Sequence, residues 1–275
     1  MSLSNSNWKN YIAKIQRQSY LIIGMVSFIL FGLIAGGAWY YFQHQESLME
    51  AERVKTEQEL SRKKKSIDDY YFRILNGAPL SQFVNSLLEI NKSSIPLSLS
   101  GFNLDSYVCD LSKCTFSYKS LSGRIFNVQE LSIFNNNFKA NISDKGLEYM
   151  VSPSLLSNDS LIEKYKLRKP IAVAKCSELV NYVHSFNSMV ADGKNKVNIS
   201  GYPQSEISAV EHILPDVKNL YGFLNVQWTT ILPDNIREIS SFLGRQAYNE
   251  SFLVNKVEKK KSSEVEVSGT LLCAN

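Results

Sequence analysis

From Tyr20 to Phe42 the chain runs 23 residues without a charge, YLIIGMVSFILFGLIAGGAWYYF. Coiled as a helix rising about 1.5 Å per residue, that run is roughly 35 Å long, enough to cross a hydrocarbon core of about 30 Å. The pattern changes abruptly after it. Residues 46–75 are highly charged, lack Gly and Pro, and are rich in good helix formers. This predicts that the helix continues beyond the apolar run. Leu60, Ile67 and Ile74 recur seven apart, with Lys64 and Tyr71 between them, which makes half of a coiled-coil seam. Asn76, Gly77 and Pro79 end the helix: Gly suits a C-terminal cap and Pro cannot continue the coil.

Beyond this point one succession of patterns occurs twice. Residues 79–90 place Phe83, Val84, Leu87 and Leu88 on one helical face. Residues 97–109 and 114–120 alternate like strands around a short turn, DLSK. Asn127 then caps a predicted short helix, VQELSIF, with Glu130 completing a capping box. Residues 137–143 and 147–151 make a hairpin across Asp144, Lys145 and Gly146. A Ser/Asn-rich and then charged linker follows, with IEKYKL as a short helix inside it. The second copy has a helix over 174–190 and a strand over 196–202. An insert then carries a short helix before Pro215, followed by a strand over 223–232. A helix started by Pro233 and Asp234 leads to a terminal hairpin, 250–258 with 264–274.

The order αββαββ builds a four-stranded antiparallel sheet with two helices on one face, a circular permutation of the ferredoxin-like arrangement. The expected class is therefore α+β. The expected organisation is a tail over 1–19, a transmembrane helix over 20–42, and a helical stalk of weak coiled-coil character over 43–77. A first αββαββ domain over 78–152, a linker over 153–173 and a second αββαββ domain over 174–275 complete it.

Charge orients the span. Lys9, Lys14 and Arg17 precede it without an acid, and Glu46, Glu50 and Glu52 follow it. Positive residues stay in the cytoplasm, so the large C-terminal part lies outside. A cleaved signal peptide is the rival reading, but its apolar region is normally about 7–15 residues and ends in small residues. Here the run ends in Trp39, Tyr40, Tyr41 and Phe42, an aromatic belt at a water interface. Gly32 and Gly36 form one GxxxG step, a candidate face for transmembrane packing.

All four cysteines, Cys109, Cys114, Cys176 and Cys273, follow the span, as expected for disulfides in an oxidising compartment. Three pairings are possible, and sequence neighbourhood favours Cys109–Cys114 and Cys176–Cys273. A zinc site is disfavoured, because there is no CxxC and neither His184 nor His212 has ligand spacing to the cysteines. The net charge of +4 draws on the runs at 62–65 and 259–261, which read as solvated charge and not as a nucleic-acid surface. No GxSxG, Asp-x-Asp, P-loop, GxGxxG or HExxH occurs. Asp68 and Asp69 are adjacent, and on a helix such neighbours point about 100° apart. No catalytic, cofactor-binding or metal-ligating residue is expected, and the chain does not read as an enzyme. Asn-x-Ser sequons at Asn91, Asn141, Asn158, Asn198 and Asn249 count for little in a chain so rich in Asn and Ser.

One short tail, one span, a helical stalk and αββαββ domains outside: this layout resembles the PilO/GspM class of inner-membrane proteins, from type IV pilus and type II secretion machines. Within GFNLDSYVCDLSKCTFSYKS, Gly101 comes first, then Cys109 and Cys114 between two strands, then the aromatics Phe116 and Tyr118. That segment looks like the PilO-type pilin accessory proteins of type IVb pili. The sister family PilN carries an Asn-Leu-Leu-Pro-like cytoplasmic motif, which the tail MSLSNSNWKNYIAKIQRQ lacks. The resemblance implies a non-enzymatic structural subunit, single-pass in a bacterial inner membrane, with a cytoplasmic N-terminus and periplasmic domains. Its implied partners are a second copy, a PilN/GspL-like sister subunit, a polytopic platform protein and pilins, with no cofactor. Two other classes compete. A membrane-anchored extracytoplasmic enzyme or ligand sensor predicts a deep pocket with converging polar groups. A eukaryotic type II membrane protein predicts glycans on the sequons.

Overall fold

The computed structural model describes residues 6–121, 130–143, 146–157, 159–190, 195–214, 222–259 and 263–274. The chain divides into two compact units, residues 1–64 and 65–275.

The first unit consists, where described, of helix α1 (Ser6–Leu75), whose last turns belong to the second unit. Its large apolar side chains from Met25 to Phe42, including Phe28, Phe31, Ile34, Trp39 and Tyr40, are exposed. Gly32 and Gly36 lie one turn apart, with nothing within 4 Å of the place a Cβ would take. The expected span begins in residues whose side chains lie outside the described ones. Among the described residues no helix is long and apolar enough to cross a membrane.

The second unit is α+β. Its strands are β1 (Ala78–Pro79), β2 (Phe102–Cys109), β3 (Cys114–Ser120), β4 (Leu131–Ile133), β5 (Asn136–Phe138), β6 (Ala140–Ser143) and β7 (Gly146–Val151), followed by β8 (Asn198–Ile199), β9 (Phe223–Pro233), β10 (Phe252–Lys259) and β11 (Glu264–Ala274). Nine of these form one sheet in the order β6-β7-β3-β2-β10-β11-β9-β8, with β1 paired to β10 beside that path. All the paired strands are antiparallel. The order contains a repeat. In each half the third strand of the copy stands at one edge, followed by the fourth, the second and the first. The halves meet where β2 pairs with β10, with Val257 opposite Cys109 and Lys259 opposite Tyr107. The two stretches expected as separate domains thus place their strands in one sheet within one compact unit, and that unit begins at Lys65, inside the expected stalk.

One face of the sheet carries α2 (Leu80–Leu99), α4 (Cys176–Met189) and α6 (Ile236–Gly244). Their inward residues Phe83, Leu87, Leu179, Val183, Ile239 and Leu243 join Phe116, Tyr149, Trp228, Val267 and Leu271 of the sheet in one core. Helix α2 packs against α6 across the junction of the halves, and α6 meets α4 through Phe242 and Phe186, whose rings are 5.4 Å apart. The other face is covered at one end by a second cluster. There Ile67, Tyr70, Tyr71, Ile74 and Leu75 of α1 pack with Leu161 and Tyr165 of α3 (Ser160–Lys166) over Phe223, Leu253 and Leu272. The expected linker therefore folds into the core through its short helix. The expected seam positions Ile67, Tyr71 and Ile74 are likewise buried inside the unit, whereas Leu60 is exposed.

Three local expectations are corrected. The helix VQELSIF is not formed where it is described: Leu131–Ile133 is β4, paired with β5. Its expected cap, Asn127, lies outside the described residues. The reason is tertiary, since Leu131 and Ile133 alternate into the core beside α2 while Ser132 accepts from the Ser93 hydroxyl. Second, α2 continues through Pro96 to Leu99, so the expected strand from 97 starts only at Phe102. Burial of Leu97 and the hydroxyl bonds of Ser93 and Ser94 to the Glu89 and Ile90 carbonyls hold these turns. Third, Gly77 does not act as a left-handed cap. A Cβ there would stand 2.5 Å from Asn255 Oδ1 and 3.0 Å from Leu253 Cβ, so the residue is small because β10 passes against it.

Candidate functional site

The layer on the sheet's helical face runs β4–β5 hairpin, α2, α6, α4. The second half follows the repeat, with two helices. In the first half a hairpin stands beside α2, in the place the repeat gives to a helix. A cleft of about 620 Å³ opens at this departure, between the hairpin, the first turns of α2 and the segment after β7. That volume is within the range of small-molecule sites, about 300–1,000 Å³.

The hairpin turns at Phe134 and Asn135, with φ of 47° and 64°. Positive φ at both central residues is the signature of a type I′ turn, which favours Asn and Gly. Asn135 fits this rule. Phe134 does not, because its Cβ is crowded in the left-handed region. Its backbone N–H donates to Glu89 Oε1 at 3.3 Å, and its ring is half exposed at the rim of the cleft. The lining contains amides and hydroxyls, an apolar floor that includes Ile133 and Val151, and, among the described residues, no charged side chain.

The opposite wall is braced by the short disulfide. Cys109 and Cys114 face each other at the end of the β2–β3 hairpin and are bonded. In the turn between them Asp110 Oδ1 accepts from the Ser112 N–H at 2.7 Å, the Ser112 hydroxyl at 2.6 Å and the Lys113 N–H at 3.0 Å. The Ser112 hydroxyl, then the Lys113 and Ser112 amides, hold this carboxyl below its usual range. Buried Ser154, from the cleft wall, donates its hydroxyl to the Asp110 carbonyl and accepts from the Leu156 N–H.

Cys176 at the start of α4 is bonded to Cys273 in β11, which ties the two ends of the second half together. Lys175 and Ala174 bridge to Ala274 at the same place. The structure therefore holds both bonds that sequence neighbourhood favours. It does not bring them together, since one closes the β2–β3 hairpin and the other fastens α4 to β11. Gly32 and Gly36 lie in the other unit. His184 and His212 are exposed, and among the described residues no group of three or more His, Cys, Asp or Glu could hold a metal ion.

Sequence reasoning passed over the cleft. The signal was present in Asn135, Asn136 and Asn137, a turn-forming run after alternating Leu131 and Ile133, but the capping-box pattern before it favoured a helix. Compared with known proteins, the chain matches no family model, no curated protein and no solved structure.

Proposed function

We propose that this chain is a non-enzymatic structural subunit of an inner-membrane assembly platform, of the kind that serves type IVb pili or type II secretion. In this reading residues 20–42 anchor it and the sheet unit lies in the periplasm. It links membrane and periplasmic components through contacts with a second copy, a PilN/GspL-like sister, a polytopic platform protein and pilins. The observation that carries the reading is the repeated strand order. Third-fourth-second-first is the order of a ferredoxin-like sheet permuted to start at its first helix, and it occurs in both halves. Two such halves after a single apolar run support the resemblance to the layout of the PilO/GspM class. The uncharged run at 20–42 and the exposed apolar side chains of α1 from Met25 to Phe42 support an anchor there, because such a stretch favours a nonaqueous environment.

Crosslinking in membranes of the native host, followed by capture of this chain, tests the reading. Recovery of pilins or platform proteins supports it. Their absence from a capture that retains the chain and its crosslinked products overturns it. A second reading, a membrane-anchored ligand sensor, draws support from one observation, the cleft beside Phe134.

A further inference from the structure

We infer that the cleft between the β4–β5 hairpin and α2 binds a neutral saccharide, with Phe134 as its stacking platform. This inference does not rest on the platform role. Three features carry it. The first is charge: among the described residues no Asp, Glu, Lys or Arg lines the cleft, and the Glu89 carboxylate that meets the turn accepts from the Phe134 N–H, which disfavours phosphates and carboxylates as occupants. The second is the character of the polar lining. Gln82, Asn85, Asn136 and Asn137 are amides, and each offers two donors and an acceptor. That matches hydroxyl groups, which both donate and accept. The third is Phe134. An aromatic ring half exposed beside amide groups offers an apolar face to the C–H face of a pyranose ring.

The backbone strengthens the argument. A turn with positive φ at both central positions is best made by Asn-Gly, and a bulky aromatic there costs stability. The ring is only half buried, so burial offsets little of that cost. The hairpin's own folding does not account for Phe134, whereas a ring needed at the cleft does. An uncharged peptide is the competing occupant. The cleft favours the sugar because the half-exposed Phe134 ring stands beside amide side chains, which together suit a ring with a C–H face and hydroxyls.

The test uses the full chain in a detergent without a sugar headgroup, mixed with N,N′-diacetylchitobiose or with cellobiose. Saturation-transfer NMR reads contact with the sugar ring protons. Transfer to one of the two disaccharides is expected, with binding weakened about tenfold by Phe134→Ala and by Phe134→Gly and kept by Phe134→Trp. Phe134→Gly separates fold from binding. Glycine suits the positive φ, so this variant keeps or raises the melting temperature while it loses the sugar. The inference is overturned by silence from both disaccharides at millimolar concentration, by undiminished transfer in the glycine variant, or by binding of an uncharged Asn/Ser peptide in preference to either sugar.

Discussion

Tyr71, in the last turns of α1, donates its hydroxyl to Glu211 of α5 (Ser208–Ile213) at 2.6 Å, across 140 residues of sequence. Both side chains are buried. The bond fixes the end of the first helix to the insert of the second half, and it gives a buried carboxylate a donor. Around it, Tyr71 stacks on Tyr165 with centroids 4.8 Å apart, and Tyr70 donates to the Phe223 carbonyl at 3.0 Å.

Tyr71→Phe is expected to cost about 1–3 kcal/mol, because it leaves the Glu211 carboxylate buried without this donor. A double-mutant cycle with Glu211→Gln should show a coupling energy above about 0.5 kcal/mol in urea unfolding. Additive losses would mean that the bond does not hold the helix end.

The seam positions of α1 divide at the boundary between the units. Ile67→Ala and Ile74→Ala are each expected to lower stability by about 2–5 kcal/mol, as large-to-small changes in a core do. Leu60→Ala, at an exposed position, should stay within about 0.5 kcal/mol. Equal losses at all three positions that vary with protein concentration would point to an intermolecular coil.

The two disulfides should contribute unequally. The Cys176–Cys273 bond spans 97 residues and the Cys109–Cys114 bond spans 5. In the chain-entropy model these loops are worth about 4.7 and about 2 kcal/mol. Paired Cys→Ser variants, compared by urea midpoint, should rank in that order. The reverse ranking would show that the hairpin disulfide acts through the cleft wall it braces and not through chain entropy.

Alkaline pH should unfold the protein cooperatively. Burial pushes the Tyr118 hydroxyl up to about 12, with its hydrogen bond to Ser94 opposing the shift. Burial raises Tyr71 and Tyr107 as well. A tyrosine whose folded pKa exceeds its unfolded value of about 10 contributes stability fully below that value. The contribution is lost as pH rises through the folded pKa. Tyrosinate absorbance should therefore show these buried residues ionising together with loss of circular dichroism. Independent titration of all the tyrosines near pH 10, with the fold intact, would contradict it.

Much of the fold is legible along the chain because period and punctuation act locally. The alternation in 114–120 and 223–232, the helix start after Pro233 and Asp234 and the breaks at Gly77 and Pro79 mark elements that the structure contains. The cap itself is Asn235, which the sequence reading did not single out; its side chain accepts from the Arg237 and Glu238 amides. The segment 128–134 was not legible. Its capping-box pattern and its strand alternation overlap, and contact with α2 decides at Leu131 and Ile133.

By itself the sequence determines an uncharged 23-residue run, two successions of α and β periods, and cysteines confined to the part after that run. Tertiary structure alone decides that the two successions share one sheet through β2 and β10, because edge pairing depends on which backbone groups meet and not on a local pattern. It also buries the Ile67 and Ile74 positions of the expected seam, since these side chains can cover a sheet as well as a second helix. And it sets a hairpin where the repeat calls for a helix, which opens the cleft at Phe134.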